Sequence, residues 1–560
     1  MGWMDRLDRW GRDWRGPLAA ALIAFVAALP GLISLPPLDR DESRFAEATA
    51  QMLESGDFVA PRYQEAPRFK KPVGIYWLQS AAVAGLSHLE DREIWAYRVP
   101  SLLGAMLAAA ACTWGAAGFL RPGPAMLAGL LLGSSFMLST EAAIAATDGV
   151  LCGAVTLAMA ALGRLYLAAR GGPAAGRLTR ALFWTGLALS VLVKGPVGPM
   201  VAGLTLAALC ITDRRVGWLK DIGWGWGAIG LLVALGPWAM AITVATDGDF
   251  WSAAVGGDLA PKLAGEQEGH GALPGYYALL LPLLLFPAGL LLPAGLAVAW
   301  KSRAEPGVRF ALCWLIPAWL VFEATPTKLI HYTLPLYGAV AWLMAKAVDQ
   351  TGGQVIGPIS RRSGALLCLA TALAFAAVGP LAIARLGDWS GAPWAVSAAL
   401  VLGVGGVVGA GLFWRGRVLG SLAAVGGLGL VGHAMLTGAV APRLQPLWLS
   451  TRAADALSDV GASPRDGVVP GPVTVAGYAE PSLVFLLGAD TELGDGEDAA
   501  IAITQGRPAI VEARVEPAFR AALGDRAVQA RAAAMVEGLD YSINRHDILR
   551  LYRPLAAKAR

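Results

Sequence analysis

The chain has 560 residues, of which 56% are hydrophobic and only 15% are charged. Soluble domains carry about 25% charged residues, so this composition excludes a single soluble core and requires lipid around most of the chain. The net charge of +4 is spread over many short loops, which suits an orientation signal rather than a nucleic-acid-binding surface. The sequence therefore predicts a polytopic α-helical membrane protein.

The N-terminal arm is rich in arginine, precedes an apolar run and lacks a convincing signal-peptidase site, so we interpret that run as a retained span. A span needs about 20 apolar residues. By this measure the sequence predicts 13 spans, at residues 17–36, 99–118, 122–139, 149–168, 181–195, 197–212, 223–243, 276–299, 310–324, 332–348, 364–385, 393–413 and 418–440. The five cysteines lie in apolar segments without a CxxC pair, which argues against disulfides or a cysteine metal site.

The apolar segment 73–88 is short, and the loop charges decide how we place it. If it does not cross the membrane, every Lys and Arg cluster between spans falls on the same side as the basic N-terminus, as expected for cytoplasmic loops. A full crossing would put those clusters outside. We therefore predict a re-entrant or interfacial helix within one long outer loop, residues 37–98.

The last 119 residues, 442–560, differ in character from the transmembrane domain, residues 1–441. Because the last predicted span ends outside, they are expected to form a soluble extracytoplasmic domain. We predict strands at 472–480 and 508–515, a helix or buried strand at 481–488, a helix at 516–524 and a strand or hairpin at 541–553. This alternation suggests a small α/β domain.

Charged residues of the long outer loop carry the first functional signal. The segment 41–56, DESRFAEATAQMLESG, is predicted to be a helix that places Asp41 and Arg44 one turn apart on one face. A carboxylate beside a cation suits a base that acts near a phosphate. An ordinary amphipathic helix at the membrane surface explains the same pattern.

Two further polar residues lie beside apolar spans. Lys194, in VLVKGPVG, is costly at membrane depth unless it is paired or lies in a cavity, although it can also snorkel to the interface. Asp148, next to Thr147, either caps the following span or belongs to a site. Cations and an acid that project from separate loops to one membrane face suit a phosphate-bearing substrate and an acceptor that loses a proton.

Several motifs occur in a characteristic order: DESRFAEATAQMLESGDFVAPR, FKKPVGIYW, YRVPS, ATD, LVKG and TKLIHYTLPLY. In this order, over roughly the first 350 residues, the chain resembles the ArnT-type aminoarabinose transferases of lipid A, and more distantly the protein O-mannosyltransferases. The resemblance implies a GT-C fold and a glycosyltransferase of the bacterial inner membrane that acts on the periplasmic side. Its expected donor is a sugar on undecaprenyl phosphate, whose lipid tail would lie between spans, and its expected acceptor is lipid A or another glycolipid.

The resemblance also assigns roles to residues. Asp41, in the D-E-x-R motif, matches the catalytic carboxylate, and Glu42 beside it is a further site candidate. Asp148 matches a second acidic residue of the family and is assigned a catalytic role as well. By the resemblance, donor phosphate would be bound by Arg44, Lys71 and Lys194, and also by Lys328 and Tyr332 of the K-L-x-H-Y motif and by Lys262. His331 of the same motif and His270 are further site candidates, although Lys262 and His270 lie in a loop that aligns less well.

One motif departs from the family pattern. The family often has F-E-K-P, with a glutamate associated with metal binding, where this chain has Phe69-Lys70-Lys71-Pro72. Lysine is a cation without an acceptor atom, so a zinc site of the family's type lacks this ligand. His270 and His331, in separate loops, could bind zinc, but their spacing does not decide it. The sequence leaves divalent-metal dependence open, and it allows a different sugar or acceptor.

Other functions remain compatible with the sequence. Enzymatic alternatives are transfer to protein or polysaccharide, including a lipid-linked polysaccharide ligase or polymerase. A multi-span transporter should show inverted repeats and midplane charges, whereas this chain shows no repeat and its charges cluster at one face. A non-catalytic lipid-binding or assembly protein is the third class, and it would not need Asp41.

Overall fold

The computed structural model describes residues 3–259, 271–351, 356–466, 471–525 and 530–554. Up to residue 447 it is a helical bundle with one short antiparallel hairpin, β1 (Arg62–Tyr63) and β2 (Ala66–Pro67). The helices are α1 Trp3–Trp10, α2 Arg15–Ser34, α3 Asp41–Ser55, α4 Gly74–Leu86, α5 Ile94–Ala116, α6 Pro122–Gly133, α7 Phe136–Ala142, α8 Asp148–Ala168, α9 Arg177–Lys194, α10 Val197–Asp213, α11 Trp224–Ala245, α12 Asp249–Trp251, α13 Tyr276–Leu284, α14 Leu292–Lys301, α15 Pro306–Ala324, α16 Tyr337–Thr351, α17 Pro358–Leu386, α18 Ala392–Trp414 and α19 Val418–Met435.

The helical pattern makes the chain a multi-span membrane protein. Within the described ranges, eight helices are long and apolar enough to cross a membrane, namely α2, α5, α8, α11, α15, α17, α18 and α19. Two predicted spans are bent pairs: α6 and α7 meet at 59°, and α13 meets the segment Ala288–Lys301 at 116°. The remaining three predicted spans coincide with α9, α10 and α16, which do not meet that test. The count of 13 spans stays a prediction.

Close contact between two helices fixes the centre of the bundle. A Cβ atom on Gly104 of α5 would lie 2.5 Å from the carbonyl oxygen of Gly149, and one on Gly153 of α8 would lie 2.4 Å from the carbonyl oxygen of Gly104. The backbones of α5 and α8 therefore touch, which only glycine permits. Because Gly149 follows Asp148 directly, this contact also anchors the first residue of α8 against α5.

The long loop 37–98 folds as two α-helices, the β1–β2 hairpin and a 3-10 turn at Leu89–Asp91, and α5 begins inside it at Ile94. Its first helix, α3, coincides with the helix predicted for 41–56. The second, α4, has 13 residues, which is too short to cross a membrane as one span. This length agrees with the predicted re-entrant or interfacial helix at 73–88, whose placement relative to the membrane stays a prediction.

The C-terminal region, Leu449 to Pro554, forms a mixed five-stranded sheet with flanking helices. The elements are α20 Leu449–Asp459, β3 Thr474–Ala476, α21 Pro481–Leu487, β4 Glu492–Gly494, α22 Gly496–Thr504, β5 Ala509–Glu512, α23 Glu516–Asp525, β6 Ala530–Asp540 and β7 Arg545–Pro554. The strand order is β4-β3-β5-β7-β6, with β3 parallel to β4 and β5, and β7 antiparallel to β5 and β6.

Sequence patterns located part of this sheet domain. The predicted strands at 472–480 and 508–515 contain β3 and β5, and the predicted helix at 516–524 is α23. Segment 481–488 is the helix α21 rather than a buried strand. Strand β6 was not predicted, because its alternation is blurred by a run of alanines, and residues 541–544 form the turn before β7 instead of part of a strand. The domain boundary at residue 441 stays a prediction.

The C-terminal domain packs against the long loop 37–98. The ring of Phe485 on α21 packs edge-on against Tyr97 of α5, with centroids 5.2 Å apart. The Nε2 atom of Gln64 donates to the carbonyl oxygens of Ala489 at 3.1 Å and Thr491 at 2.6 Å. The domain therefore lies at the end of the bundle that carries the start of α3, here called the site end.

Candidate active site

A cavity of about 860 Å³ opens at the site end. It is lined by the start of α3, the segment after β2, the α7–α8 connection, the end of α9, the loop before α16 and the turn between β6 and β7. The lining residues are Arg40, Asp41, Glu42, Arg44, Phe45, Arg68, Lys70, Lys71, Glu141, Ile144, Ala146, Thr147, Asp148, Lys194, Leu329, His331, Tyr332, Tyr541 and Ser542. Six Lys or Arg residues face four acidic ones, so the cavity favours an anionic ligand.

Asp41 is the first residue of α3 and projects into this cavity. Its side chain is 74% exposed, and Oδ1 lies 4.0 Å from a guanidinium nitrogen of Arg44 and 4.0 Å from one of Arg68. Arg44 is one helical turn away, as its spacing predicted. Arg68 is buried and stacks over Phe45 at 4.8 Å from the ring centroid. Two cations thus flank a carboxylate that remains accessible to a ligand.

Glu42, next to Asp41, has a different role because it is buried. Its two carboxylate oxygens each accept a hydrogen bond from Arg98 at 2.8 Å, and Oε1 also accepts one from the backbone N–H of Ala145 at 2.7 Å. Oε2 accepts a further hydrogen bond from the N–H of Leu38. Glu42 therefore ties the loop before α3 to α5 and to the α7–α8 connection, which brings Asp41 and Asp148 to the same cavity.

Asp148 and Lys194 form the second charged centre. The Lys194 Nζ atom lies 2.6 Å from Asp148 Oδ1, and the Thr147 hydroxyl donates to Oδ2 at 3.1 Å. Neither Thr147 nor Asp148 caps α8 through its side chain, so the capping interpretation of Asp148 is not supported. Lys194 lies over the Tyr332 ring, 5.4 Å from its centroid. The lysine is therefore paired inside a cavity instead of snorkelling alone.

His331 extends this centre toward a second carboxylate. Its Nδ1 atom lies 3.3 Å from Glu141, and Nε2 lies 3.7 Å from Asp148. These three residues offer ligand atoms within 4.8 Å of one another, a set that could hold a metal ion. The ammonium group of Lys194 already neutralises Asp148, so a divalent cation would have to displace that ion pair. The set therefore fits a lysine-compensated acid–histidine cluster better than a metal site.

An apolar cleft of about 500 Å³ adjoins the charged cavity. The two share Lys70, Lys71, Asp148, Lys194 and Tyr332. The cleft's apolar walls come from α8, α10, the α12 region and α15, and are formed by Leu151, Pro196, Val197, Met200, Phe250, Trp251, Ala254, Val255, Val321 and Phe322. A charged chamber joined to a hydrocarbon-like cleft suits an amphiphile with an anionic head and an apolar tail.

The structure brings together most of the residues predicted from the sequence. Eight of them line the cavity: Asp41, Glu42, Arg44, Lys71, Asp148, Lys194, His331 and Tyr332. Lys328 does not line either space, because it is buried and its Nζ donates to the carbonyl oxygen of Thr325 at 2.7 Å. Lys262 and His270 lie outside the described residues.

Sequence reasoning missed several lining residues. Glu141 had a usable signal, since a carboxylate within an apolar stretch is expensive unless it has a partner. Arg68 was one of many loop cations, and only the fold shows that it flanks Asp41. Tyr541 and Ser542 had no signal, because they come from the C-terminal domain, about 500 residues along the chain from Asp41.

A cluster of acidic residues lies where the loop before α3 meets the C-terminal domain. Asp39 accepts a hydrogen bond from the Ser482 hydroxyl, and Glu480 accepts one from the Ser542 hydroxyl. Burial raises the pKa of the Asp39 carboxyl from its ordinary value of 3.8 to about 7; the Ser482 hydrogen bond opposes the rise, and the charges of Glu480 and Asp540 add to it. Burial likewise raises the pKa of Glu480.

This shift predicts how stability depends on pH. Between pH 3.8 and about 7 the folded protein holds a proton on Asp39 that the unfolded chain has lost, so stability falls as pH rises through this window. We expect thermal unfolding of the detergent-solubilised protein at a lower temperature at pH 8 than at pH 5.5. Asp39→Asn should reduce this difference, whereas Asp91→Asn, at an exposed position of the same long loop, should leave it unchanged. A pH difference that is equal in wild type and Asp39→Asn would contradict the assignment.

Known proteins resemble the chain in sequence. Residues 37–251 match the family described as dolichyl-phosphate-mannose-protein mannosyltransferase. The chain is 30% identical over 378 residues to an undecaprenyl phosphate-alpha-4-amino-4-deoxy-L-arabinose arabinosyl transferase of Pseudomonas paraeruginosa, a region covering 65% of each protein. A protein of the same name from Edwardsiella ictaluri is 29% identical over 339 residues, 60% of this chain and 59% of that one. The match thus spans less than two thirds of the length of these relatives.

Solved structures share the architecture over nearly the whole chain. The crystal structure of ArnT from Cupriavidus metallidurans bound to undecaprenyl phosphate has a TM-score of 0.75 at 18% identity, and covers 96% of this chain and 97% of that one. The oligosaccharyltransferase AglB from Archaeoglobus fulgidus, in complex with an inhibitory peptide and a dolichol-phosphate, has a TM-score of 0.50 at 10% identity. At such identities the likeness shows the fold alone.

Proposed function

We propose that this chain, which is ArnT-like in sequence and has the GT-C fold, is a glycosyltransferase that moves a sugar from undecaprenyl phosphate to a glycolipid acceptor. The observation that carries the proposal is the junction of the charged cavity with the apolar cleft at Lys71, Lys194 and Tyr332. A polyprenyl-phosphate sugar has the matching shape, because a single phosphate separates its hydrocarbon tail from its sugar. The relatives named above carry this donor in their name.

Donor binding follows from the charges at the junction. The prenyl tail enters the apolar cleft between Phe250, Val321 and Met200, where water is excluded. The phosphate then meets Lys71 and Lys194, and the sugar extends into the charged cavity toward Asp41. Lys194 is shared between Asp148 and the incoming phosphate, so Asp148 holds this ammonium in place before the donor arrives.

Transfer breaks the bond between the anomeric carbon and its phosphate oxygen. The bonding electron pair goes to that oxygen, which leaves undecaprenyl phosphate with an additional negative charge. Lys71, Lys194 and Arg44 stabilise this charge in a site partly sheltered from water. Asp41 accepts the proton of the acceptor hydroxyl as its oxygen forms the new bond to the anomeric carbon. No nucleotide takes part.

The acceptor and the membrane side complete the proposal. We place the cavity at the periplasmic face of the bacterial inner membrane, since the predicted orientation keeps the basic loops in the cytoplasm. Lipid A or another glycolipid is the proposed acceptor, in keeping with the resemblance to the aminoarabinose transferases. The match of residues 37–251 to protein mannosyltransferases supports a protein acceptor as the second candidate.

Comparison of envelope glycans tests the function directly. Mass spectrometry of lipid A, other glycolipids and envelope proteins is carried out on cells with the gene, without it, and with the gene encoding Asp41→Asn. We expect one amino-sugar or hexose-like unit to be missing from a glycolipid in the last two strains. Loss of a sugar from a protein would establish the second candidate, and identical glycans in all three strains would refute sugar transfer.

A further inference from the structure

The turn between β6 and β7 forms part of the cavity wall. This turn, residues 541–544, is the only part of the described C-terminal domain that lines the cavity, through Tyr541 and Ser542. The domain is also attached by contacts outside the turn, because the Phe485–Tyr97 and Gln64 contacts lie elsewhere in the interface. The turn therefore has a position that docking alone does not explain.

The turn forms hydrogen bonds with Asp39 and Arg40, the two residues that precede Asp41. The Tyr541 hydroxyl accepts a hydrogen bond from the backbone N–H of Asp39 at 2.7 Å. The carbonyl oxygen of Ser542 accepts one from the Arg40 guanidinium at 2.9 Å. From the other side, Ser482 of α21 donates to the Asp39 carboxylate. Both residues before the proposed catalytic carboxylate are thus held by the C-terminal domain.

The backbone conformation of Arg40 explains why these hydrogen bonds are needed to hold the start of α3. Its φ of 67° and ψ of −114° lie outside the regions that L-residues normally occupy, and Arg40 is the N-cap residue of α3 without a side-chain capping bond. A non-glycine residue keeps such a conformation only where its surroundings impose it. Because this residue directly precedes Asp41, its conformation decides where the chain enters α3 and where the Asp41 carboxylate points.

We infer that Tyr541 is a positioning residue for sugar transfer: it acts through the backbone of Asp39 and Arg40 to orient Asp41, so that the C-terminal domain completes the active site. This inference rests on the proposed function. Tyr541 does not take the proton or touch the reacting atoms; its hydroxyl fixes the strained entry into α3. Its removal should therefore slow the chemical step more than it weakens donor binding, which depends on Lys71 and Lys194.

The test uses the full-length protein in lipid vesicles with undecaprenyl phosphate-α-4-amino-4-deoxy-L-arabinose as donor and lipid A as acceptor. Single-turnover transfer is measured per donor-binding site, with the sites counted by labelled undecaprenyl phosphate. We expect Tyr541→Phe to lower this rate by about tenfold while the donor dissociation constant and the unfolding temperature stay close to wild type. Ile543→Ala, an exposed position in the same turn that does not line the cavity, should leave the rate unchanged.

The outcomes separate this inference from the proposed function. If wild type transfers sugar and Tyr541→Phe transfers it at the same rate per site, the inference fails and the function stands. If Tyr541→Phe only lowers the number of donor sites or the unfolding temperature, the residue serves docking and the inference fails as well. A wild-type protein that transfers no sugar in vesicles, and whose gene deletion leaves the envelope glycans unchanged, overturns the proposed function and this inference together.

Discussion

Asp41→Asn is expected to reduce sugar transfer by about 10²- to 10⁴-fold, the range that a positioned general base contributes. Asparagine has nearly the same size but cannot take the proton of the acceptor hydroxyl. The Asp41 side chain is 74% exposed, and its ion pairs with Arg44 and Arg68 are long, at 4.0 Å. Removing its charge should therefore leave the fold intact. The measurement is single-turnover transfer in vesicles at saturating donor and acceptor.

A matched control separates this chemical effect from a general effect of charge. Asp91→Asn makes the same change at an exposed position of the same long loop, outside the cavity, and should retain full transfer. Binding of undecaprenyl phosphate to Asp41→Asn should equal or slightly exceed that of wild type, because one negative charge near the phosphate has gone. Full transfer by Asp41→Asn would reject the catalytic assignment.

Arg98→Ala is expected to cost about 3–5 kcal/mol of folding free energy, which is the usual cost of leaving a buried charge without its partner. Arg98 is fully buried and binds both oxygens of Glu42. It also donates to the carbonyl oxygens of Leu32, Leu35 and Pro36, at 3.1, 2.7 and 2.9 Å. A loss of this size is a large fraction of the stability of a typical domain. Chemical unfolding in detergent, followed by tryptophan fluorescence, measures it.

Two comparison variants define what the Arg98 result means. Arg98→Lys keeps the charge but cannot contact both carboxylate oxygens and the carbonyls in one plane, so its stability should lie between those of wild type and Arg98→Ala. Arg62→Ala removes an exposed arginine of the same loop and should change stability by less than about 0.5 kcal/mol. If Arg98→Ala unfolded at the wild-type denaturant concentration, the Arg98–Glu42 contacts would not stabilise the packing of the loop before α3 against α5 and the α7–α8 connection.

Local sequence patterns predicted the helices well because each depends on neighbouring residues. Hydropathy located every predicted span on a helix or bent helix pair, since a lipid-exposed segment must satisfy its backbone hydrogen bonds internally. Helical spacing placed Arg44 beside Asp41 for a similarly local reason. Where the local pattern was weak, as in the alanine-rich strand β6, the prediction missed the element.

Charge patterns identified candidates but did not show which of them line the cavity. Lys194 was favoured as a site residue by its apolar flanks, whereas Lys328 was assigned to the site by its place in the K-L-x-H-Y motif. The fold directs Lys194 to Asp148 in the cavity and Lys328 to a backbone carbonyl away from it. The difference arises because the direction of a side chain depends on which helices pack together, and a single sequence does not state those contacts.

The sequence by itself determined that the chain is a multi-span membrane protein and that α3 places an acid and a cation one turn apart, and it predicted that cations from several loops suit a phosphate-bearing substrate. Only the tertiary structure decided that Arg68, Glu141 and Tyr541 line the same cavity. It also showed that Glu42 is buried and joins the loop before α3 to α5 and the α7–α8 connection. The physical reason is the separation along the sequence over which each signal acts, since hydropathy and helical periodicity relate residues within about 20 positions of one another. The cavity instead joins positions up to 502 residues apart, Arg40 and Ser542, through packing that forms only when the whole chain has folded.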